Sequence, residues 1–138
     1  MLFRSVARIA RLRTLYQGHF LQHETEKPWI LQARRTLRER LLQVVGDAAY
    51  LYEQAHQWQD AANLYRFGIE LESLNEGLYR GLMRCHQELG DHSEALQAYG
   101  RCRELLTRFL GVSPNKKTQA LYNSVRERAA CASVGGGQ

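Results

Sequence analysis

The chain has 138 residues, 44% hydrophobic and 24% charged, with two prolines, the make-up of one compact domain and not of a disordered or collagen-like chain. No apolar run approaches the ~20 residues that cross a bilayer, and three cysteines without a close pair argue against a disulfide scaffold or zinc cage and suit a reducing cytosol. The net charge of +5 conceals a segregation: residues 1–40 hold nine Lys/Arg against three acids, residues 41–100 three against nine, and residues 101–138 seven against two, so basic ends flank an acidic middle. Such a chain can sit beside nucleic acid without being the part that reads it.

Leu2, Val6, Ile9, Leu12 and Tyr16 recur at helical steps and predict an opening helix that ends before Gly18. Arg4, Arg8 and Arg11 share one side of it, and no acid precedes Glu24. In isolation this basic face suits a mitochondrial presequence or membrane-surface helix, but a solvated face that meets a neighbouring domain or DNA phosphates is the favoured reading. His19 and His23 have the i, i+4 spacing of helical metal ligands, but they fall in the connection before Pro28, and no metal site is expected there.

A long helix is predicted from Pro28 to about His56, carried by Ile30, Ala33, Leu37, Leu41, Val44, Ala48, Leu51 and Ala55, with Pro28 in the first turn, where its missing N–H costs nothing. Gly46 inside it is expected to mark a kink or a close helix contact. Further helices follow over 59–72, 75–89, 92–109 and 115–131. Gly90 ends one of these in a left-handed conformation, and Asp91 with Glu94 then forms a D-x-x-E capping arrangement. Gly111 and Pro114 bracket the last break, and Asn115 is placed to cap the last helix. Residues 1–131 therefore read as one all-α domain and 132–138 as a disordered Gly-rich tail.

Sliding the chain by 34 residues aligns Ala61 with Ala95, Tyr65 with Tyr99, Glu70 with Glu104 and Leu71 with Leu105. Alanine at a crossing lets antiparallel helices approach, and an aromatic one turn later plugs the groove beside it. Helical hairpins at this period are the mark of tetratricopeptide-like arrays. The reading is two hairpins, residues 42–75 and 76–109, with the final helix as a cap: about six helices in a right-handed stack. The alternative is a non-repeating bundle with chance matches. The expected core is Ala61, Tyr65, Leu82, Leu89, Ala95, Tyr99, Leu105 and Val125, joined by Cys85 and Cys102 as small apolar side chains. Of the aromatics Tyr16, Tyr50, Tyr52, Tyr65, Tyr79, Tyr99, Tyr122, Trp29 and Trp58, most fall on the inner stripes and are expected inside, with Tyr50 the exception.

Leu78–Val112, LYRGLMRCHQELGDHSEALQAYGRCRELLTRFLGV, resembles the helical domain called the bacterial transcriptional activator domain, as does SPNKKTQALY that follows it, Ser113 to Tyr122. LYQGHFL, Leu15–Leu21, is similar to that family's LYxGxFL element, and Trp29 stands where the family has a Trp at the start of its long helix. The resemblance covers about residues 12–128. One departure concerns the last helix: the family usually has Pro and an acid in its first turn, where this chain has Lys116 and Lys117, whose charge opposes the helix dipole.

The resemblance implies a cytoplasmic bacterial transcription regulator in which this domain follows a winged-helix DNA-binding domain, in some members with a signalling NTPase. It implies self-association, contacts to RNA polymerase, and relay to the DNA-binding neighbour. The chain shows no winged-helix pattern and no phosphate loop, so it reads as an excised or C-terminal piece, possible homodimer included. DNA is expected to be reached only through the missing winged helix, and no membrane partner is expected.

No catalytic residue, cofactor or metal ligand is expected. No Gly-rich phosphate loop or serine elbow occurs, and adjacent Cys85 and His86 point about 100° apart on a helix. In a tetratricopeptide hairpin the first helix lines a concave groove; Gln43, Tyr50 and Gln54 point there from the first repeat, and Arg80, Arg84 and Gln87 from the second. Two arginines in that groove favour an acidic or carboxylate-ended peptide or a partner helix. Two other functions remain open: a stand-alone peptide-binding adaptor, and a direct non-specific nucleic-acid binder through the basic ends.

Overall fold

A computed structural model describes residues 7–11 and 27–135, with side chains to Ser133. Helix α1 is described over residues 7–11; then come α2 (Pro28–Gln54), α3 (Trp58–Leu71), α4 (Glu76–Glu88), α5 (His92–Leu110) and α6 (Lys116–Gly135), with no strand among the described residues. Each helix from α2 onward packs on the next, and α4 also meets α6. Contacts to the next helix and to the next hairpin's first helix are those of a tetratricopeptide-like stack, in which each unit touches only its neighbours.

Most helix ends fall where the sequence places them, although α2 stops at Gln54, before the expected His56. Gly90 has φ +81°, the N–H of Asp91 bonds the carbonyl of His86 at 2.8 Å, and the N–H of Gly90 bonds that of Gln87 at 3.2 Å, which is the Schellman closure. Asn115 Oδ1 accepts from the N–H of Thr118 at 3.0 Å, capping α6. Asp91 departs from expectation: it occupies the N-cap of α5 but makes no side-chain capping bond. Its Oδ2 lies instead 4.0 Å from Nδ1 of His86, so the expected capping arrangement with Glu94 does not form. At the other end, α6 continues to Gly135, so residues 132–135 of the expected tail are helical; 136–138 lie outside the described residues.

The repeat is physical. Ala61 and Ala95 are fully buried, and Tyr65 and Tyr99 nearly so. Tyr65 plugs its junction by lying on Gly81 of α4, where a Cβ would collide with the ring. Tyr99 performs the same task differently, stacking on Tyr122 of α6 with centroids 4.0 Å apart and planes at 12°. These rings join the main core with Tyr79, Met83, Cys85, Cys102, Leu106 and Val125. A second cluster, Ile9 with Leu41, Val45, Ala48 and Phe67, seats α1 on α2 and α3.

Four core expectations need correction. Leu89 is 37% exposed, because it lies in the cap after α4, where no helix faces it. Leu105 is only half-buried while Leu106 is 2% exposed: the stripe Ala95, Ala98, Tyr99, Cys102 continues by four residues to 106. Trp29 stands 63% in solvent at the head of α2. Gly46 marks no close contact, since α2 runs unbroken through it and nothing lies within 4 Å of its Cβ position.

Candidate interaction surface

The first helices of the hairpins, α2 and α4, carry the residues expected to line a groove. On α2, Gln43, Tyr50 and Gln54 are all exposed, with Tyr50 at 57%. Gln43 bonds Asp47 one turn on, at 3.2 Å, and edges a depression of about 370 Å³ shared with Gly46, Asn75 and Gly77. On α4 the three expected residues are engaged with neighbouring helices. Arg84 Nη2 donates to Glu53 Oε1 of α2 at 3.2 Å. Arg80 Nη1 donates to Thr118 Oγ1 of α6 at 2.9 Å. Gln87 faces Arg128, and with its side-chain amide flipped its oxygen would accept from Arg128 Nε and Nη1 at 3.1 and 3.2 Å. The two arginines that the sequence offers to a ligand are therefore spent largely as ties between repeats.

Glu53, a buried acid that the sequence reading passed over, organises this region. Beyond Arg84 it takes the Sγ–H of Cys85 at 3.7 Å. Burial, and then the Glu53 carboxylate, push the Cys85 thiol up to about 12 and raise the Tyr65 phenol too. Cys102 is pushed up to about 11 by burial and then Glu76. Both thiols stay protonated at neutral pH, which removes them as nucleophiles. The helical spacing gave a weak signal for Glu53, an acid on the apolar side of α2 beside Tyr52.

Glu76 settles the departure at α6. Its Oε1 accepts from the N–H of Asn115 at 2.8 Å and from Thr118 Oγ1 at 2.9 Å. The acid missing from the first turn of α6 is supplied from α4, and it offsets the unfavourable charge of Lys116 and Lys117 at the positive end of the helix dipole.

On the opposite side, α3, α4 and α5 enclose a cleft of about 420 Å³ edged by Arg66, Glu94 and Arg101 with His86 in its wall. Arg66 Nη2 is 3.2 Å from His86 Nε2. A guanidinium only donates, so Nε2 accepts and the proton sits on Nδ1. Burial and then Arg66 lower the His86 pKa below its ordinary value. The imidazole is thus neutral and serves the packing.

On α1, Arg8 and Arg11 are exposed and Ile9 is buried; Arg4, His19 and His23 lie outside the described residues. Among the described residues no three His, Cys, Asp or Glu side chains converge on a metal-sized site, and no helix is long and apolar enough to cross a membrane. The model of the bacterial transcriptional activator domain family matches residues 4–126. No curated protein matches the chain.

Proposed function

The chain belongs to the bacterial transcriptional activator domain family, and from that premise we propose that it is the non-catalytic effector part of a bacterial transcription regulator. It works in the cytoplasm by contact with protein: a second copy, a neighbouring DNA-binding domain, or RNA polymerase. The observation that carries this reading is the apolar surface left in water at the end of α5. Phe109 is 63% exposed, Leu110 56% and Val112 49%, side by side in the chain. Scattered apolar residues are ordinary on a surface, but a phenyl ring with two aliphatic neighbours is the make-up of a contact patch. Light scattering of the chain over a range of concentrations, and binding to purified RNA polymerase and to a winged-helix domain, test it. Phe109→Ser is expected to weaken at least one of these associations, and a variant that leaves all three unchanged overturns the reading.

Exposed Tyr50, in line with Gln43 and Gln54, favours a second reading as a stand-alone adaptor for an acidic or carboxylate-ended peptide. The engagement of Arg80 with Thr118 and of Arg84 with Glu53 weighs against it. Replacing both arginines by Glu without any change in peptide binding would sink it.

A further inference from the structure

The first three turns of α2 carry cations along one flank. Successive residues of an α-helix are about 100° apart, which places Lys27, Leu31, Arg34, Arg35 and Arg38 within an arc of about 100° that borders the buried stripe of Ile30, Leu37 and Leu41. The one acid between residues 27 and 40, Glu39, falls outside that arc. At 1.5 Å per residue the flank extends about 16 Å from Lys27 to Arg38. Arg35 is exposed and Arg38 half-buried, and neither forms an ion pair with another described residue. Leu31 between them is 50% exposed. The acids of the chain are concentrated in residues 41–100, which carry nine against three Lys/Arg. The charge of the stack therefore turns from positive to negative along α2 itself.

We propose that this flank of α2 lies against the phosphate backbone of duplex DNA. The guanidinium groups of Arg35 and Arg38, about one turn apart, match phosphates in sign and in bidentate geometry. The acidic middle of the stack repels the same polyanion, so DNA meets the domain at the head of α2 and runs past it. A contact to phosphates adds affinity and orientation but no sequence preference. This inference does not rest on the protein-contact reading above.

The test is fluorescence anisotropy of a labelled duplex of arbitrary sequence, titrated with the intact chain between about 50 and 200 mM salt. Each phosphate contact contributes about −0.9 to the slope of log affinity against log salt. The double variant Arg35→Gln, Arg38→Gln is expected to flatten the slope by about 1.8. The same loss of charge at the start of α6, Lys116→Gln with Lys117→Gln, is expected to leave it nearly unchanged. Arg35→Glu alone, at an exposed position, guards against a folding defect at half-buried Arg38 and is expected to weaken binding at low salt. An unchanged slope in the α2 double variant, an equal flattening by both pairs, or no binding by the wild-type chain at the lowest salt would each overturn the proposal. Equal flattening would mean that net charge, and not this flank, attracts the duplex.

Discussion

Replacing Leu106 by Ala tests whether the buried face of α5 is correctly located. Leu106 is 2% exposed and packs in the main core with Cys102, Tyr99 and Val125. Truncation removes three buried carbons. At about 0.8 kcal/mol each that is about 2.4 kcal/mol of lost transfer energy. The cavity left between α5 and α6 adds more, because Tyr99 and Tyr122 are held stacked and cannot collapse into it. The expected total is about 3–4 kcal/mol, within the range for buried leucines. Leu105, one residue away and half-buried, keeps part of its surface in water in both states, so Leu105→Ala is expected to cost about 1–2 kcal/mol. Urea unfolding followed by far-ultraviolet circular dichroism measures both, with equal m-values required for the comparison. A Leu105→Ala variant as destabilised as Leu106→Ala, or more so, refutes the assignment.

Three further expectations use the same assay. Gly81→Ala gains about 1 kcal/mol of helix propensity, but its methyl group would meet the Tyr65 ring, so a net loss of about 1–2 kcal/mol is expected. In the Tyr65→Ala background that loss should vanish. Arg84→Gln should cost about 1–2 kcal/mol and more than Glu53→Gln, because Glu53 is left buried without its partner, whereas Arg84, 44% exposed, turns to water when Glu53 is lost. The His86 pKa is lowered in the folded chain from the ordinary 6.5, so the unfolded chain binds the proton more readily. The stability tied to neutral His86 is present above pH 6.5 and drains away as pH falls below it. His86→Gln should flatten the fall in urea midpoint between about pH 7 and 5.

Where a structural demand was local, the sequence displayed it. Only a residue tolerant of positive φ ends α4 as Gly90 does, and only small residues at 61 and 95 let the hairpins close, so these positions stand out in the bare chain. The long-range repeat was legible for the same reason: Ala and an aromatic four residues on solve the same packing problem twice. The repeat holds at its last pair as well: Leu71 and Leu105 are each the fourteenth residue of their helix, and both are half-buried. The core place goes to the leucine that the 3.6-residue period selects. That period, run from Ala95, points to Leu106.

The polar ties were hidden because they join residues remote in sequence. Glu53 to Arg84 spans 31 positions and Glu76 to Thr118 spans 42, and no periodicity within one helix reports such a partner. They bear directly on function. An arginine counts as ligand-binding charge only if no side chain of the fold already holds it; Arg84 is held by Glu53 and Arg80 by the Thr118 hydroxyl, whereas Arg35 forms no ion pair with another described residue. Binding charge in this stack therefore belongs at the head of α2, before the acid-rich repeats begin, and the middle of the groove is left to packing and to the exposed ring of Tyr50.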